Sequence, residues 1–184
     1  MDLVSWRKLR ERGARVARKI RNGVLILLAV AIVAFAAWML WPRSIGGAVE
    51  LEGREIAASI ITSGWEEVRD EGNFYNRPTM DMERYVLPAG SEGARAVLEL
   101  LDGYAWHPCW DTLTGETSIS DIRDLSVTLY SVQNDALLEF SVYTGTGKAR
   151  LNDRVVQIGY FGAGEAAALC QALADLLRAE SSAA

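Results

Sequence analysis

The run Val24 to Trp41, VLILLAVAIVAFAAWMLW, holds 18 residues and no charge. A helix rising 1.5 Å per residue carries it about 27 Å, close to the apolar thickness of a bilayer. Its flanks differ sharply. Residues 1–21 carry eight Lys and Arg against Asp2 and Glu11, a net +6, whereas from Ser44 onward ten basic residues face 22 acidic ones, a net −12. Positive charge stays on the cytoplasmic side of a span. The N-terminus is therefore expected in the cytoplasm and the acidic remainder outside it, with Trp6, Arg18, Lys19 and Arg21 at the inner interface and Trp38 and Trp41 in the outer aromatic belt.

A cleaved signal peptide is the competing reading, since Ala34-Phe35-Ala36 has the small-x-small form of a cleavage site. The long basic region and the AWMLWP start that cleavage would leave argue against it. No cysteine lies near the end of the apolar run, which excludes a lipoprotein anchor. Trp6, Leu9, Val16 and Ile20 fall on one helical stripe among Arg and Lys, the pattern of a basic helix resting on anionic lipid. Within the span no two small residues stand four apart, so a GxxxG dimer face is absent.

The chain is expected to divide into a basic cytoplasmic segment (1–23), a transmembrane helix (24–41), a Gly-containing linker (42–53) and an extracytoplasmic domain (54–184). In that domain Ala94, Val97, Leu98 and Leu101 recur at helical spacing between Ser91, a fitting N-cap, and Gly103. Ala166, Leu169, Cys170, Leu173, Leu176 and Leu177 repeat the pattern over Gly164 to Glu180. Between these helices the period falls to two in the sets Leu125-Val127-Leu129, Leu138-Phe140-Val142 and Val156-Ile158-Tyr160. Connections at Gln133-Asn134-Asp135, Gly145-Thr146-Gly147 and Asn152-Asp153 are too short for parallel crossovers, so the strands form an antiparallel meander. Glu55 to Val68, Arg84 to Leu87 and Tyr104 to Leu113 are expected to add strands, and Asp70 to Asp81 reads as a polar loop. The expected fold is α+β: an antiparallel sheet with two amphipathic helices packed on one face.

Chemistry is sparse. One histidine, His107, and two cysteines, Cys109 and Cys170, fall short of a zinc ligand set. Gly145-Thr146-Gly147-Lys148 lacks the first glycine and the final Ser or Thr of a P-loop. Gly159, Gly162 and Gly164 read as an ordinary connection into a helix. The acidic groups around Glu66 to Glu71 and Asp111 to Asp124 do not have EF-hand spacing, and a solvated acidic face is favoured over a cation site. No cofactor or metal is expected, and the acidic domain disfavours a nucleic acid partner.

The most distinctive stretch is Tyr104-Ala105-Trp106-His107-Pro108-Cys109-Trp110. On an extended strand Tyr104, Trp106 and Trp110 share one face, either as core or as a platform for a peptide or glycan. A disulfide between Cys109 and Cys170, allowed outside the cytoplasm, requires Cys109 to point toward the C-terminal helix and hence the aromatics to point away; an inward aromatic face turns Cys109 outward. The expectation drawn from this is a non-enzymatic, single-pass binding or interaction module outside the cytoplasmic membrane of a bacterium, with the bilayer and an envelope protein, peptide or glycan as partners. An envelope hydrolase using Asp111 and Glu116 beside His107 and a structural subunit of a membrane complex are the alternatives.

Overall fold

The computed structural model describes residues 3–183 apart from 71, 72, 118, 120–123, 134, 135 and 161, and the backbone alone for 3–16, 70, 73, 132, 133, 136, 137 and 181–183. The chain forms two compact units, Met1–Trp41 and Pro42–Ala184. The first is helix α1 (Leu3–Leu40), whose stretch Ala17–Leu40 is long and apolar enough to cross a membrane. Arg18, Lys19, Arg21, Trp38 and Trp41 are exposed on it or at its end, and the Phe35 and Trp38 rings approach to 6.1 Å. The stripe expected from Trp6 to Val16 lies outside the described side chains.

The second unit is α+β. In chain order it contains β1 (Arg43–Ser44), α2 (Gly46–Val49), β2 (Ile56–Asp70), β3 (Asn73–Leu87), α3 (Glu92–Asp102), β4 (Ala105–Pro108), α4 (Trp110–Thr114), β5 (Leu125–Gln133), β6 (Ala136–Tyr143), β7 (Lys148–Leu151), β8 (Arg154–Ile158) and α5 (Gly164–Ala183). The strands form one antiparallel sheet in the order β1-β4-β8-β7-β6-β5-β2-β3. The meander from β5 to β8 follows the expected alternation. Asn152 takes the left-handed conformation, φ 51°, in the two-residue β7–β8 connection, where asparagine is one of the few residues that accepts it.

Alternation decides what is buried. Ile56, Ala58 and Ile60 of β2, Leu125, Val127 and Leu129 of β5, and Phe140 and Val142 of β6 lie in the core with Leu169, Cys170, Leu173 and Leu177 of α5. Helix α5 rests on β5 and β6, and α3 leans on α5 and α2. The Ser91 hydroxyl accepts the Ala94 N–H at 3.1 Å, capping α3 as its sequence indicates.

Three segments differ from the sequence expectation. Part of the stretch expected as a linker is built into the fold: β1 pairs with β4, and Ile45, Val49 and Leu51 are fully buried. The strand expected over Tyr104 to Leu113 ends at Pro108, after which Cys109 caps the short helix α4. The expected loop from Asp70 to Asp81 is mostly strand. β2 and β3 pair continuously from Ile56↔Leu87 to Asp70↔Asn73, and an antiparallel ladder satisfies backbone groups that a polar loop would leave to water.

Strand β3 is tied to α5 by an ion pair. Arg178 Nη2 lies 2.6 Å from Glu83 Oε1, and the Tyr85 hydroxyl donates to the same carboxylate. These hydrogen bonds, from Arg178 first and then Tyr85, lower the Glu83 pKa from 4.5 to about 2. Because the folded value is depressed, the stabilisation is complete above pH 4.5 and is lost as pH falls toward 2. Urea unfolding between pH 5 and 2 should show a smaller acid-induced loss of stability in Glu83→Gln than in the parent; equal losses would mean that the pair contributes nothing.

Candidate interaction surface

Strand β5 pairs with β2 only from Ala57 to Thr62, whereas β2 itself runs on to Asp70. Beyond Ser63 the β2–β3 hairpin therefore continues as a two-stranded arm. β3 is an edge strand along its whole length. With Ile56, Ala58 and Ile60 in the core, their neighbours Ala57, Ser59 and Ile61 face the other way, and so do all alternate residues toward the tip.

The middle of that outer face is mostly apolar. Directly opposed residues share a face, so the outward rows are Ala57↔Val86, Ser59↔Arg84, Ile61↔Met82, Ser63↔Met80, Trp65↔Pro78, Glu67↔Asn76 and Arg69↔Phe74. Trp65 and Met80 are each 73% exposed, and Phe74, Met82 and Val86 are exposed beside them. Arg69 sits 4.9 Å over the Phe74 ring and 3.0 Å from Glu67. The inward rows of the arm include the polar pairs Thr62↔Asp81, Gly64↔Thr79 and Glu66↔Arg77, the last 3.7 Å apart, and also Val68↔Tyr75, where Tyr75 is exposed. The rows Ile61↔Met82, Ser63↔Met80 and Trp65↔Pro78 thus form an apolar run flanked by the polar rows Ser59↔Arg84 and Glu67↔Asn76, with Val86 and Phe74 beyond them; exposed runs of large apolar groups are uncommon on soluble domains.

The aromatic residues singled out from sequence do not share a strand face. Trp106 pairs with Ile158, a core residue, and packs against the core as Tyr104 does; its indole N–H donates to Ser44 O at 3.2 Å, and Arg43 lies 5.0 Å over its ring. Trp110 is 73% exposed, but it begins α4, where the strand alternation has ended. A three-residue platform is therefore not formed. His107 is buried; its Nε2 meets Gly159 O at 2.6 Å, its Nδ1 meets Pro108 O at 3.1 Å, and its ring stacks on Tyr160. Both ring nitrogens are occupied by backbone carbonyls, the environment of a structural histidine.

The expected disulfide is not formed, and both thiols are free. Cys109 Sγ lies 3.7 Å from Val155 O on β8, while Cys170 Sγ lies 3.5 Å from Val142 O on β6. Strand β7 separates β8 from β6. Two strand spacings are roughly 10 Å, too far for a bridge. The inward aromatic Trp106 and the unbridged Cys109 thus occur together, as the alternation rule requires.

The remaining motifs have structural roles. Gly145-Thr146-Gly147 joins β6 to β7, and a Cβ at Gly147 would come 2.2 Å from Gly162 O. Gly159 has φ +69°, and a Cβ there would meet the Glu165 carboxylate. Asp111 is paired with Lys148, and Glu139 accepts from Arg150 at 2.5 Å and from Ser141 at 2.8 Å. Among the described residues no group of three or more His, Cys, Asp or Glu could hold a metal ion. No protein-family model, curated protein or solved structure matches this chain.

The first strand of the arm is expected from the sequence as far as Val68, whereas the second is hidden because Pro78 and the charges of Asp70 to Asp81 suggest a loop. A usable signal was present in Asp70-Glu71-Gly72-Asn73, turn-forming residues ahead of the alternation Pro78-Met80-Met82.

Burial pushes the Cys170 thiol up to about 12, although a backbone hydrogen bond from Val127 pulls the other way. The thiolate is the reactive form. Alkylation at pH 8 should therefore modify Cys109 well before Cys170, whose labelling should wait for denaturant; equal rates in the folded protein would contradict the burial described here.

Proposed function

We propose that this chain is a single-pass, membrane-anchored interaction module, its N-terminus in the cytoplasm and its α+β domain on the other side. The domain binds a protein partner through the outer face of the β2–β3 arm. The exposed apolar stripe of that arm is the observation that carries the reading. The apolar helix and the contrast between a +6 flank and a −12 domain support the anchor and its orientation. In this reading α3 and α5 cover one face of the sheet, so the stripe on the other face remains free for contact. Trp110 is a secondary contact at most, because it stands apart from the stripe.

Orientation is tested on intact cells. In a Cys109→Ser background, a membrane-impermeant thiol reagent should reach a cysteine placed at Ser182 and miss one at Ser5, and the reverse pattern would overturn it.

Binding is tested with a photoreactive residue in the full chain in native membranes. At position 65 it should capture a protein, whereas at position 66, on the opposite face of the same strand, it should not. Trp65→Ala should leave the thermal midpoint nearly unchanged, since exposed positions rarely shift stability by more than about 0.5 kcal/mol. Absence of any protein adduct from position 65 would refute the arm as a binding surface.

A further inference from the structure

The register of the arm narrows the partner further, on the reading just given. We propose that it is a second copy of this chain, the two arms stacking outer face to outer face and antiparallel about a two-fold axis at the Ser63–Met80 row. Rows equidistant from that axis then meet. Met80 faces its own counterpart. Trp65 and Pro78 come onto Ile61 and Met82, and Phe74 comes onto Val86. The row containing Glu67 meets the row containing Arg84, so opposite charges meet on either side of the central apolar rows, inside the outer Phe74–Val86 contacts. Arg84 has no ion pair among the described residues, and Glu67 has Arg69 as its neighbour within the strand.

Other alignments lose this match. Moving the axis by one outward row sets Met80 opposite either Asn76 or Arg84 and parts Glu67 from Arg84. Two-fold packing requires such self-complementarity, because each patch must recognise itself.

Edge-to-edge pairing is the weaker use of the same arm. Pro78 lies in the middle of β3 and has no N–H for an added strand.

Seven outward rows span about 40 Å, and a two-stranded face about 10 Å wide buries on the order of 800 Å² over both copies. That is below the roughly 1,200 Å² of a stable interface. Anchoring makes up the difference. Copies anchored in one membrane are confined to its plane, which raises their effective concentration.

The test uses the full chain carrying Cys109→Ser, in phosphatidylcholine vesicles treated with a short bismaleimide thiol cross-linker, which reaches across the spacing of two stacked sheets where a disulfide does not. Met80→Cys should yield a covalent dimer, and Asp81→Cys, on the opposite face, should not. Arg84→Glu should weaken dimer formation roughly tenfold, since two attractive pairs become repulsive, and adding Glu67→Arg should restore it. Thermal midpoints confirm that each variant is folded. A Met80→Cys dimer unaffected by Arg84→Glu, or equal cross-linking from Asp81→Cys, overturns the arrangement. A monomeric Met80→Cys chain overturns the second copy as partner; if the probe at position 65 still captures a different protein in native membranes, the interaction reading survives, and if it captures none, both fall.

Discussion

Leu169, Leu173 and Leu177 of α5 lie in the same core as Val127, Leu129, Phe140 and Val142 of β5 and β6, and the rest of the domain is arranged around that contact. Burying these side chains stabilises the fold by roughly 1.5–3 kcal/mol each before chain entropy is counted. It also fixes which residues of every neighbouring strand face inward, because a one-residue slip would carry the whole apolar set to the opposite face. The outward direction of Trp65, Met80 and Phe74, some distance along β2 and β3, is set by this inward packing of Ile56, Ala58 and Ile60.

Much of the fold was legible in the sequence where one side chain period ran for several residues. The meander from Leu125 to Ile158 shows clean alternation, and α3 and α5 show helical spacing with Ser91 at the N-cap. Legibility failed where segments were short or where apolar groups face solvent. Four residues of β7 and five of α4 are too few to establish a period. In β3 the apolar members alternate correctly but point away from the core, so they resemble a mixed loop rather than a buried strand. The cysteines were illegible for another reason: which of them can meet depends on strand order, and β7 stands between the two carbonyls that they contact.

The polar residues of the sheet's outer face contrast with the arm. Glu139, Ser141, Thr128 and Arg150 satisfy one another by hydrogen bonds, and Asp111 and Lys148 pair where α4 meets the sheet. Such a face is content in water. The arm has few such partners on its outer side, and its strands extend past the last residue of β2 that β5 supports. A domain that required only stability would end both strands near Thr62 and Asp81, where the third strand ends.

The two borders of the sheet also bear on polymerisation. β1 offers two residues, too few to nucleate a further strand, and β3 carries Pro78, which has no N–H for an added strand. Both features blunt the borders against the addition of strands that builds a fibre. A long, apolar, edge-located hairpin is the element in which such growth would be most dangerous. Pro78 thus hinders strand addition at the edge of this hairpin while leaving the apolar groups of its outer face in place.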